Sequence, residues 1–175
     1  MKIELKSIQF SDAMSEETYA FTANLYINGK KVGYCKNTGQ GGCTDFYVDS
    51  DMRNKSISEM NRKAINEAEA YCNALPKTKY KNMEFPQSLE SVIDDQLENW
   101  LKAKDVKKFE NKMKKCVLVG SPDVNRASYS YYNFKVALST IPTKQLQASI
   151  ERIKSKLENG NVILNTNLTA LGVTV

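Results

Sequence analysis

Apolar and polar positions alternate along the first third of the chain, which predicts β-strands. Ile3 and Leu5 open the pattern, and the run E-E-T-Y-A-F-T-A-N-L-Y-I-N-G-K-K-V-G-Y-C-K folds back on itself at Asn28-Gly29. That dipeptide supplies the two positive-φ positions of a type I′ turn. Pairing across it sets Ile27 opposite Lys30, Leu25 opposite Val32 and Ala23 opposite Tyr34. Phe21, Ala23, Leu25, Ile27, Val32 and Tyr34 then share one face, the condition for a half-buried sheet. D-F-Y-V at 45–48 predicts a further short strand.

The period then changes to that of a helix. Ser56 and Glu59 fit a capping box, and Ile57, Met60, Ala64, Ala68, Tyr71, Cys72 and Leu75 recur at helical spacing until Pro76. K-T-K-Y-K-N-M-E-F-P reads as a loop. Pro86-Gln87-Ser88 opens a second helix with Leu89, Val92, Ile93, Leu97, Trp100 and Leu101 inward. Its pattern breaks near Asp105, and a lysine-rich helix with Val106, Phe109 and Met113 inward follows.

Mixed structure returns in the last third. C-V-L-V at 116–119 predicts a buried strand, and G-S-P-D-V-N-R a turn. In S-Y-S-Y-Y-N-F-K-V-A-L the even positions Tyr132, Phe134, Val136 and Leu138 face the core. Pro142 and Thr143 start a helix with Leu146, Ile150, Ile153 and Leu157 inward, and Gly160 is placed at its C′ position. N-V-I-L at 161–164 is a last strand. Strands, then helices, then strands imply an α+β fold. The expected architecture is an antiparallel sheet with an N-terminal β-hairpin, a helical middle segment and a C-terminal strand-strand-helix-strand. One domain over 1–175 accommodates this, with 56–115 a helical insert or lobe.

Composition narrows the chemistry. Hydrophobic residues at 41% and charged residues at 26% are ordinary globular values, which sets disorder and fibrous repeats aside. The chain has no histidine, which removes Ser-His-Asp and Cys-His catalysis and histidine-ligated metals. Four cysteines at 35, 43, 72 and 116 form no C-x-x-C pair, so free thiols are expected rather than zinc. The opening M-K-I-E-L-K lacks the organisation of a secretory signal, and no apolar run would span a bilayer. A cytoplasmic protein with no cofactor and no membrane contact is expected. Net charge is +5, and neither 1–55, 56–115 nor 116–175 is basic enough to demand nucleic acid.

Four features carry candidate chemistry. In N-T-G-Q-G-G-C-T, Gly39, Gln40, Gly41 and Gly42 lie between strand-like stretches. Glycines let backbone N–H groups converge on an anion, with Thr38 and Thr44 adding hydroxyls and Lys36 adding charge. The loop matches neither a Walker A motif nor a dinucleotide fingerprint, and a plain turn explains the glycines as well. Asp45, Asp49 and Asp51 just downstream suit a magnesium ion, or are solvated loop acids. Residues 102–115 hold seven lysines, a phosphate-tracking stripe or simply a solvated helix face. Tyr129 and Tyr131, opposite Tyr132, would stack on a base, fill a partner's pocket, or lie under the helix of Ile150.

S-E-E-T-Y-A-F-T-A-N-L-Y-I-N-G-K-K-V-G, followed by N-T-G-Q-G-G, resembles the opening of a largely uncharacterised family of small accessory proteins of bacteriophages and mobile elements. The resemblance covers about residues 1–48, with a further echo in I-L-N-T-N-L-T-A-L-G-V. It implies an accessory protein that counters host defence by sequestering a nucleotide signal or blocking a defence protein. In the first form a small anionic, nucleotide-like ligand sits on the glycine loop with an exposed tyrosine on its base. In the second, 56–115 or the Tyr129–Tyr131 face binds a host defence protein. A metal-dependent phosphodiesterase or nuclease using the three aspartates ranks third, and nucleic-acid binding without cleavage fourth. A homo-oligomer is compatible with any of these.

Overall fold

The computed structural model describes residues 1–50, 55–81, 83–122, 129–158 and 160–174. Asp51 and most of the 120–126 turn therefore lie outside the described residues. The chain is α+β and divides into two compact units, Met1–Leu101 and Lys102–Val175.

In the N-terminal unit, β1 (Ile3–Ser11), β2 (Ala20–Ile27), β3 (Lys30–Asn37) and β4 (Asp45–Val48) form an antiparallel sheet in the order β1-β2-β3-β4. Asn28 and Gly29 take φ 49° and 83°, the type I′ turn expected of them. The register holds for only two pairs beyond that turn. Ile27 faces Lys30 and Tyr26 faces Lys31, but Leu25 then faces Gly33 and Ala23 faces Cys35. Val32 is the extra residue of a β-bulge, so the expected pairs Leu25–Val32 and Ala23–Tyr34 do not form. Tyr34 turns outward, 40% exposed, and stacks on Tyr47 of β4, while Cys35 takes the core position.

The inner face of this sheet packs against α1 (Lys55–Asn73) and the first part of α2 (Leu89–Met113). Leu25, Cys35, Ala68, Cys72, Ile93 and Leu97 are fully enclosed there. Each large aliphatic side chain so buried contributes about 1.5–3 kcal/mol relative to exposure. The inward seam of α1 runs through Asn61, Ala64, Ile65, Ala68 and Cys72, whereas Met60 and Tyr71 are exposed. Residues 77–86 are not a plain loop. They form a hairpin, β5 (Thr78–Tyr80) with β6 (Met83–Phe85), whose Met83 and Phe85 are exposed.

Helix α2 is continuous through Asp105, and the boundary between the units falls within it. Residues 102–105 are all exposed, and Lys and Ala sustain a helix without an apolar partner. In the C-terminal unit, β7 (Cys116–Gly120) lies between β8 (Ser130–Asn133) and β9 (Val162–Ile163), both antiparallel to it. Strand β7 is buried along its whole length. Helix α3 (Thr143–Lys154) packs through Leu146, Ile150 and Ile153. It ends at a Ser155 cap, so Gly160 is not its C′ residue. Strand β8 stops at Asn133, and the long alternation expected to 138 is cut short. Tyr132 and Val136 are exposed, Phe134 is half-buried and Leu138 is enclosed.

Among the described residues, no helix is long and apolar enough to cross a membrane.

Candidate functional site

The glycine loop is knitted into the N-terminal unit by one side chain. Asn37, at the end of β3, is 8% exposed and points inward. Its Oδ1 accepts from the Gly39 N–H at 2.8 Å and from the Thr18 hydroxyl at 2.9 Å. Its Nδ2 donates to the Gly42 carbonyl at 2.9 Å and, at 3.5 Å, to Thr44 Oγ1. The Gly39 carbonyl accepts from the N–H groups of Glu16, Glu17 and Thr18, at 2.9, 3.0 and 3.3 Å. Gly39 has φ 89°, and a Cβ there would drive into the Met14 carbonyl. Only glycine fits that crossing of two loops.

Four of the donors expected to meet an anion are engaged within the protein. Gly39 N–H serves Asn37, and Gly41 N–H reaches Thr18 Oγ1 at 3.3 Å. Thr44 N–H donates to Glu90 Oε1 at 2.7 Å, and the Thr44 hydroxyl to Asp94 Oδ1 at 3.1 Å. Thr38 and Gln40 are exposed, and Lys36 faces outward across from Asp45. Of the loop residues named from sequence, Gly41 and Gly42 line the neighbouring pocket, and Thr44 is buried beneath its α2 wall. Tyr129 and Tyr131 belong to the C-terminal unit.

That pocket, about 560 Å³, is lined by three segments. The β1–β2 connection brings Glu16, Glu17, Thr18 and Tyr19. The glycine loop brings Gly41, Gly42 and Cys43. The first turns of α2 bring Glu90, Asp94, Asp95 and Glu98. Six carboxylates thus face one cavity, and among the described residues none of its lining is Lys or Arg. Glu90, Asp94 and Glu98 recur at i, i+4 and i+8. Like charges at that spacing destabilise a helix by roughly 0.2–0.5 kcal/mol per pair. The positive end of the helix dipole offsets this only in the first turn. Burial raises the Asp94 carboxyl above its usual range; the Thr44 hydroxyl opposes the rise, and Glu90 and Asp95 add to it.

Asn37, Thr18, Glu90, Asp94 and Cys43 were not singled out from sequence. The spacing of Glu90, Asp94 and Glu98 is the one signal that would have found part of the pocket. Cys43 is exposed at the mouth, whereas Cys35, Cys72 and Cys116 are buried. Of the aspartates downstream, Asp45 and Asp49 serve different partners. Asp49 pairs with Lys31 at 3.0 Å, Asp45 lies by the Tyr47 hydroxyl at 3.4 Å, and Asp51 is outside the described residues. Among the described residues, no three Cys, Asp or Glu side chains are grouped to hold a metal ion.

In the C-terminal unit, Tyr129 is half-buried, edge-on to Phe109 with ring centroids 5.3 Å apart. Tyr131 is 53% exposed. Lys112 Nζ lies 3.7 Å from the centroid of Tyr131 and 5.0 Å from that of Tyr129.

Comparison with protein-family models, with curated proteins and with solved structures finds no match to this chain.

Proposed function

We propose that the protein works by non-catalytic binding, and that its pocket receives a basic segment of a protein partner. The observation that supports this reading is the cavity beside the glycine loop, with its six carboxylates and no lining cation among the described residues. A nucleotide phosphate placed there would meet like charge and find the amides of Gly39, Gly41 and Thr44 already bonded. A lysine or arginine would meet complementary charge in a concave, partly desolvated site, where electrostatic matching sets both association rate and register. Within the accessory role that the N-terminal resemblance implies, the partner is a component of host defence.

Cys43 makes the test direct. Hexa-arginine peptide is titrated by calorimetry, and its protection of Cys43 from iodoacetamide is followed in parallel. Glu17→Gln with Asp95→Asn removes pocket charge while leaving Glu90 and Asp94 on Thr44. The double variant is expected to weaken binding about tenfold, in the range measured for close interfacial charge pairs. Peptide binding that leaves Cys43 unprotected and ignores the double variant would sink the reading. So would a nucleotide that protects Cys43 where the peptide does not.

A further inference from the structure

The two units carry opposite charge. Lys102–Val175 contains 13 basic and 5 acidic residues, a net of +8, which leaves 12 and 15 in Met1–Leu101, a net of −3. Dividing the sequence at 55 and 115 splits the lysine run from the basic stretch after it, and the contrast disappears into a total of +5. The structural boundary restores it.

The basic unit also brings aromatic rings to the lysines, an interleaving that the linear sequence lacks. Strand β8 is an edge strand, because the sheet order is β8-β7-β9, and all four of its residues are exposed. Tyr131 and Tyr132 stand on it at 53% and 38% exposure. Lys112 lies over the Tyr131 ring. Lys108 and Lys112 stand at i and i+4, about 6 Å apart along the axis of α2, and Lys115 follows in the turn just beyond the end of the helix at Met113. Of the two acidic residues in 102–115, Glu110 is turned about 200° from Lys112, and Asp105 lies about one turn before Lys108.

We propose that this edge of the C-terminal unit binds single-stranded nucleic acid. An unpaired base stacks on the face of Tyr131 away from Lys112, and the phosphates on either side run past Lys108 and Lys115. Stacking on an exposed ring tolerates any base, and the lysines flanking it neutralise the backbone, so binding is sequence-tolerant and salt-sensitive. A duplex would offer phosphates but no free base, and Tyr131 would add nothing to its affinity. The acidic pocket belongs to the other unit, and the proposal does not depend on the partner assigned there.

Fluorescence anisotropy of the full chain with a labelled oligothymidylate of about 20 nucleotides is the test, over a range of salt. Tyr131→Ala is expected to weaken binding about tenfold or more, and Tyr131→Trp to hold or tighten it. Lys108→Ala with Lys115→Ala is expected to flatten the log–log salt slope by about 1.4, near 0.7 for each phosphate no longer neutralised. Lys79→Ala, in the other unit, leaves both the affinity and the salt slope unchanged. No binding at low salt and high micromolar protein overturns the proposal. Equal affinity for the matching duplex, insensitivity to Tyr131→Ala, or binding confined to phosphatidylserine vesicles does so as well.

Discussion

Replacing Asn37 by alanine isolates the interaction that closes the glycine loop. Three bonds of 2.8–2.9 Å disappear, to Gly39 N–H, the Thr18 hydroxyl and the Gly42 carbonyl. Each such bond contributes about 1 kcal/mol net. Thr18 and Gly42 can turn to water, but the Gly39 amide is enclosed, and a buried donor without a partner costs about 1–3 kcal/mol more. The expected loss is roughly 4–6 kcal/mol, a large share of the 5–15 kcal/mol that holds a typical domain. With an m-value near 2 kcal/mol/M, the urea midpoint falls by about 2–3 M. Trp100 is the only tryptophan and packs against the core of the N-terminal unit, so its emission reports that unit. Thr18→Val is the control. It removes the bond to Asn37 and the one from Gly41 N–H while leaving Asn37 on Gly39 and Gly42, so it should fall between wild type and alanine. A loss below about 1 kcal/mol for Asn37→Ala, at unchanged m, would refute the assignment of Asn37 as the closing residue.

Three further outcomes are expected. In the native protein iodoacetamide should label Cys43 alone, because burial pushes the Cys35 thiol up to about 11 and encloses Cys72 and Cys116; mass spectrometry showing a second rapid label would contradict this. Asp94 holds its proton more tightly folded than unfolded, so the folded state binds more protons and stability falls as pH rises. The fall runs from the unfolded value of 3.8 up to the raised folded value and is level above it; wild-type melting temperatures should show this slope relative to Asp94→Asn, and parallel curves would refute it. Gln96 covers the open edge of β1, its Oε1 accepting from Leu5 N–H at 3.2 Å and its Nε2 donating to the Ile3 carbonyl at 3.0 Å. Gln96→Ala should cost about 1–3 kcal/mol and make light scattering concentration-dependent, since an uncovered edge recruits other strands. A stable, monodisperse variant would argue that the edge needs no cover.

The elements most legible in the sequence are those fixed by local chemistry. Asn28-Gly29 has one preferred turn, and the apolar spacing of α3 can be satisfied by one helix face. The β5–β6 hairpin escapes a sequence reading because Thr78, Lys79 and the whole of β6 are exposed and leave no alternation to read. The run from Ser130 to Leu138 misleads for the opposite reason: its alternation continues past the point where the strand ends, and Tyr132 and Val136 face solvent. The pocket is hidden by distance along the chain. Its walls come from around residues 15–19, 41–43 and 90–98, and only the last has an internal spacing to betray it. The charge contrast is hidden by where the chain is divided, which only the folded arrangement reveals.

The bulge at Val32 acts on a place it never touches. In an unbroken strand, inward positions keep one parity, so a buried Val32 would send Tyr34 and Lys36 inward and leave Cys35 and Asn37 in water. The one extra residue reverses odd and even for everything downstream. Deleting Val32 leaves Gly33 opposite Leu25 and Asn37 opposite Phe21, and the loop stays closed. Pairing Val32 with Leu25 instead, as an unbulged strand would, rotates Asn37 out of the loop five residues away, turns Lys36 to the core, and takes down one wall of the pocket without altering a single residue that lines it.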